Sequence, residues 1–133
     1  MKNQIEYSKE LGFSANYLST YRFSRKIPKD VNAEQVLKMY IEEKKHQDEV
    51  IKALQDMYYE LSDLKKVYPF GLFLVEKGIY SHPRSLHRAA YRYFSPRDEL
   101  LGQRYIKHHE NILNAYKEWC GDMQRLQPNI RAS

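Results

Sequence analysis

Apolar residues recur along this chain at helical spacing from its first turn onward. Ile5, Ser8 and Leu11 stand three apart on one side of segment 2 to 11, and Gly12 supplies a residue suited to a C-terminal stop. Ser14 is placed to cap a second helix, whose inward stripe is Tyr17, Leu18 and Tyr21. Arg22, Arg25, Lys26 and Lys29 follow as a basic cluster, interrupted by Pro28. Asn32 and Gln35 then form a plausible capping pair, opening a stretch that reaches Tyr68 without a glycine or proline. Steps of three and four pick out Ala33, Val36, Tyr40, Glu43, Gln47, Val50, Leu54, Met57, Leu61, Leu64 and Tyr68, a heptad seam broken at Glu43 and Gln47. The pattern predicts one long helix, with the polar patch EEKKHQDE at 42 to 49 as the alternative point where two helices part.

Pro69 to Gly78 reads as a buried apolar connection, and Pro83 opens a third helical segment, RSLHRAAYRYF. Ser95-Pro96-Arg97-Asp98 has the marks of a helix start: a capping serine, a proline in the first turn and a carboxylate three residues after the cap. The last helix should present Leu101, Tyr105, Ile112, Ala115 and Trp119 inward and stop at Gly121. The expected fold is therefore all-α, with five or six helices and no strand. It divides into a head at 1–31, a long helix at 32–68 that serves as core or coiled coil, and a C-terminal helical region at 69–133 with a basic helix at 83–94.

Charge refines this division. The net charge of +5 is uneven: residues 1–30 hold six basic and three acidic side chains, 31–69 six and eight, and 70–133 ten and six. Basic ends around a slightly acidic middle suit a polyanion bound at the ends and a partner chain at the centre. A single cysteine, Cys120, excludes an intrachain disulfide framework and fits a reducing, cytoplasmic setting. No apolar run approaches the roughly 18 to 20 residues of a membrane span, and the polar start MKNQIEYSKE lacks the core of a signal peptide.

The head carries the most specific signal. Two short helices held at a fixed angle need a small residue where they cross, a turn residue tolerant of positive φ, and apolar anchors on both sides. Ser8, Gly12, Phe13, Leu18 and Tyr21 supply these. Glu10-Leu11-Gly12-Phe13-Ser14-Ala15-Asn16-Tyr17-Leu18-Ser19 resembles the helix-turn-helix of the AraC family. It is also similar to the phage-repressor type and, through Arg25-Lys26-Ile27-Pro28, to the MerR and excisionase type. About 25 of the 133 residues carry the resemblance.

That resemblance implies double-stranded DNA as partner. Ser14, Ala15, Asn16, Ser19 and Thr20 would meet base edges, with Asn16 able to pair with adenine in two places, while Arg22, Arg25, Lys26 and Lys29 would meet phosphates. Little chain precedes the first helix, so the core beneath Ile5, Leu11, Phe13 and Leu18 is expected to come from the long helix or the C-terminal half.

A second basic face is expected on the third helical segment, where Arg84, Arg88 and Arg92 recur every four residues with no acid between His82 and Arg97. The surrounding EKGIYSHPRSLHRAAYRYFS loosely echoes the head, with glycine, apolar residue, serine, leucine and a Tyr-Arg pair in the same order. Catalysis is not expected. His46, His82, His87, His108 and His109 include no pair at the four-residue spacing of a helical metal site, so neither metal nor cofactor is predicted. The reading that follows is a small transcriptional regulator of phage or mobile-element type, dimerising through the heptad seam, with a protein-binding helical inhibitor or adaptor as the alternative from another class. An accessory DNA-binding factor in replication, packaging or recombination is a third reading.

Overall fold

In the computed structural model, residues 2–95 and 99–126 are described, with 122–126 as backbone only. The described residues form helices alone: α1 Gln4–Glu10, α2 Tyr17–Ser24, α3 Ala33–Asp63, α4 Val67–Glu76, α5 Ser85–Ala90 continued by a 3₁₀ turn Tyr91–Phe94, and α6 Gln103–Leu126. The all-α expectation holds. The chain divides into two compact units, Met1–His46 and Gln47–Ser133, with the division falling inside α3.

α3 opens with the expected capping box. Asn32 Oδ1 accepts from the Gln35 amide at 2.9 Å, and Gln35 Oε1 accepts from the Asn32 amide at 3.4 Å, so two otherwise orphaned donors are satisfied reciprocally. The helix then runs straight through the polar patch at 42–49. Its two seam breaks have separate uses. Glu43, in the first unit, takes a forked ion pair from Arg25. Gln47, in the second, is 1% exposed; its amide donates to the Glu99 carbonyl at 3.2 Å and its oxygen accepts from the Leu101 amide at 2.6 Å. The apolar pattern weakens where the helix fastens polar partners rather than where it breaks.

The long helix ends at Asp63, five residues earlier than its composition allows. The Lys66 amide turns back to the Leu61 carbonyl and the Lys65 amide to Ser62, a left-handed stop with Lys65 at φ 56°. Leu64 and Tyr68, expected on the seam, are consequently exposed. A second correction concerns Pro69 to Gly78, which is mostly the helix α4 rather than a connection. Pro69 is its third residue, where a missing N–H costs nothing because first-turn amides have no partner within the helix. The same left-handed stop, built on Gly78 at φ 76°, closes α4.

The second unit buries Val50, Leu54, Met57 and Leu61 of α3 with Phe70 and Leu74 of α4, Leu86 and Ala90 of α5, Tyr93, and Ile112 and Ala115 of α6. Val50, Leu54, Met57 and Leu61 of the seam thus pack against α4, α5 and α6 of the same chain, the intramolecular arm of the seam's two expected uses. α6 buries Ile112 and Ala115 and half-buries Tyr105 and Trp119 as expected, but Leu101 lies before its start, and the helix continues through Gly121 to Leu126. Gly121 keeps an ordinary helical φ, so its freedom to end the helix is not used. The expected start at Ser95-Pro96-Arg97-Asp98 lies partly outside the described residues; Ser95 is extended, and α6 begins only at Gln103.

Two stability predictions arise from this framework. Lys65 occupies a left-handed conformation that costs a residue with a Cβ roughly 1–2 kcal/mol, so Lys65→Gly should raise the unfolding free energy by about 1 kcal/mol in urea titration. His109 is buried at 3% exposure; its Nδ1 donates to the Tyr105 carbonyl at 2.8 Å, while Nε2 has no partner among the described residues. The rings of Tyr93 and Tyr105 and the neighbouring His108 surround it.

Burial chiefly, and secondarily the charge of His108, hold the His109 imidazole below its ordinary value of 6.5. The unfolded chain thus binds the proton first as pH falls. Stability is full above about pH 6.5 and declines below it, by at most about 1.4 kcal/mol per pH unit for this one proton. His109→Asn should remove that part of the slope when denaturant midpoints are compared between pH 7.5 and 5.

Candidate nucleic-acid interface

The first unit is built around one buried hydroxyl. Ser8 is fully buried where α1 crosses α2; its Oγ donates to the Gln4 carbonyl at 2.8 Å and accepts from the Leu18 amide at 3.0 Å. Leu18 is the second residue of α2, so its amide belongs to the unsatisfied first turn. Ser14 was expected to cap this helix. Instead α2 starts at Tyr17 with Asn16 at the cap position and no capping side-chain bond of its own, because Ser8 supplies the acceptor from the neighbouring helix.

Gly12, at φ 83°, turns the chain between the two helices, with the Phe13 amide bonded to the Ser8 carbonyl and the Gly12 amide to Lys9. α2 ends in the same manner on Lys26, at φ 54°, with the Ile27 amide on the Arg22 carbonyl. The core beneath comes from the opening turns of α3, as expected. Tyr40 lies edge-on to Phe13, Tyr17 and Tyr21 at centroid distances of 6.4, 5.5 and 5.7 Å, and Val36 is fully buried. Ile5, expected to face inward, is 47% exposed.

α2 sorts its side chains by face. Leu18 and Tyr21 are buried; Asn16, Ser19, Thr20 and Phe23 are exposed on the opposite side, and Ser14 is exposed just before the helix while Ala15 is half-buried. Gln4 of α1 reaches across this edge, its amide donating to Ser19 Oγ at 3.2 Å and its oxygen accepting from Arg22 Nε at 2.6 Å. Phe23 is 86% exposed, an apolar ring at the end of an otherwise polar face. Among Ser14, Asn16, Ser19, Thr20 and Phe23 there is no carboxylate.

The four cations expected at phosphates separate into two pairs. Arg22 is a strut: besides Gln4 it donates to the carbonyls of Pro28 and Val31, tying the segment after α2 to α1. Arg25 is held by Glu43, with Nη2 2.8 Å from Oε2, and its guanidinium lies 5.2 Å from the Tyr21 ring centroid. Burial and then the Glu43 carboxylate push the Tyr21 phenol above its ordinary range, so it stays neutral beside the pair. Lys26 and Lys29 are exposed and lie at the C-terminal end of α2 and just beyond it.

The second basic face belongs to the other unit. Arg84, Arg88 and Arg92 are all exposed, on the side of α5 and the 3₁₀ turn away from Leu86, Ala90 and Tyr93. Among the described residues no three histidine, cysteine or carboxylate side chains converge as metal ligands, and no helix is long and apolar enough to cross a membrane. No protein-family profile, curated protein or solved structure matches the chain.

Proposed function

We propose that the first unit is a reading head for double-stranded DNA, with α2 in the major groove and α1 bracing it against the backbone. The observation that carries this reading is the outward face of α2: an amide, two hydroxyls and one apolar ring, with no carboxylate among them, on a helix fixed from behind by Ser8 and Tyr40, with two exposed lysines at and beyond its end. Asn16, Ser19 and Thr20 offer hydrogen bonds to base edges, and Phe23 offers apolar contact to a thymine methyl. Lys26 and Lys29 take the phosphates. Arg22 and Arg25 act indirectly, by holding the helix in place.

In this reading the protein is a small regulator in the cytoplasm that works by occupying its site. Copies would be brought together by adjacent half-sites, since the seam residues lie within each chain's own core. One observation favours a second reading, a protein-binding adaptor: a phenylalanine as exposed as Phe23 is the kind of anchor that fills a partner's pocket.

The test is selection from random duplexes followed by affinity measurement. Thr20→Ala and Asn16→Ala should relax the base preference at single positions and cost about 1–3 kcal/mol each. Lys26→Gly removes a charge while relieving the left-handed turn; it should weaken binding to every duplex alike and flatten the salt dependence by about one unit. Loss of a protein contact in Phe23→Ala, with no duplex bound by the parent chain, would favour the adaptor.

A further inference from the structure

We infer that the second unit carries a separate binding surface for single-stranded nucleic acid, formed by α5, the 3₁₀ turn and the adjoining side of α3. α5 and the turn bury Leu86, Ala90 and Tyr93, which leaves Arg84, Arg88 and Arg92 outward with His87, Tyr91 and Phe94 beside them. Phe94 leans on Tyr59 of α3, ring centroids 5.1 Å apart, and on Tyr58 at 6.3 Å; the Tyr58 hydroxyl meets His87 Nδ1 at 2.9 Å. These rings are open to solvent: Tyr91 is 66%, Tyr59 59% and Phe94 40% exposed.

The cations are exposed, and Arg92 bonds the Tyr91 hydroxyl rather than a carboxylate. None of the three guanidiniums forms a salt bridge among the described residues, and two of them lie near exposed rings, Arg84 at 6.0 Å from the Tyr68 centroid and Arg92 at 5.9 Å from that of Tyr91. Of the acids on the nearby turns of α3, Asp56 is paired with Lys52 at 2.8 Å, Glu60 lies beside Tyr116, and Asp63 is exposed at the end of the helix, one turn beyond Tyr59.

Charge and ring together choose the occupant. A stripe of arginines alone would suit any polyanion, and exposed rings alone would suit any apolar partner. Rings set among exposed arginines that form no salt bridge among the described residues suit a strand whose phosphates are neutralised while its unstacked bases lie on aromatic faces. A duplex keeps its bases stacked inside and would leave Tyr59, Tyr91 and Phe94 without a role. An acidic peptide would use the arginines but has no flat rings of its own that require them.

The experiment is fluorescence anisotropy of the full chain with a labelled fifteen-base oligothymidylate, run beside a duplex of equal length. The parent chain should bind the single strand, Arg88→Glu should weaken it, and Tyr91→Leu, which keeps an apolar side chain at an exposed site, should weaken it about tenfold. Tyr91→Leu, which changes no charge and lies outside the first unit, should leave duplex affinity unchanged, so failure here is distinct from failure of the reading head. Circular dichroism melts of the two variants establish that they fold. The inference is overturned if the oligothymidylate does not bind, if Tyr91→Leu binds it as the parent does, or if an acidic peptide of equal charge competes as well as the strand.

Discussion

Gly71→Ala should destabilise the protein by about 3 kcal/mol or more, although the same change in an open helix stabilises it. Gly71 lies in α4 against the backbone of Pro83; an added Cβ would overlap the Pro83 carbonyl oxygen and sit 3.0 Å from its carbon. Neither group can rotate away as a side-chain end would, so α4 and the Pro83 segment must separate, and Phe70 and Leu74 lose packing on either side. Gly121 is the control. It too is helical, nothing among the described residues stands within 4 Å of its added Cβ, and Gly121→Ala should raise stability by about 0.5–1 kcal/mol. Urea titration of both variants reads opposite signs from one substitution, and a Gly71→Ala midpoint at or above the parent's would show that the close approach is not there.

Ser8→Ala carries the second large effect, and it is specific to the head. Removing Oγ leaves the Leu18 amide buried without an acceptor, at a cost of about 1–3 kcal/mol, and α2 has no cap of its own to compensate. Ser8→Val adds crowding at a fully buried crossing and should cost more. Amide hydrogen exchange of Leu18 should speed up in Ser8→Ala more than that of residues in the second unit, such as Leu54. Exchange at Leu18 unchanged from the parent would show that the hydroxyl does not support α2.

Much of this was legible in residue spacing. The Asn32–Gln35 box, the Gly12 turn and the buried stripe of α3 and α6 all follow from local chemistry, because each is set by neighbours within one or two turns. Tertiary partners were less accessible. Nothing local says that Ser8 rather than Ser14 caps α2, since the bond joins residues ten apart. Pro69 and Gly71 looked like breakers, yet one falls in a first turn and the other at a close approach, where each is tolerated for a different reason.

Arg22 and Arg25 stand four residues after Leu18 and Tyr21, on the inward stripe, so their half-burial and their bonds within the head were readable from the same spacing. Phe23 shows the same rule in reverse. It lies three residues after Thr20, on the outward side, so its exposure was readable from the spacing that identified the stripe.

The reading head is tested most directly by backbone amide NMR of the full chain during titration with a selected duplex. The account predicts that the largest shifts fall on Asn16, Ser19, Thr20, Phe23, Lys26 and Lys29, with Leu18 and Tyr21 moving less because their side chains face the core. Shifts confined to Arg84 through Phe94, or no shift in α2 at saturating duplex, would contradict it.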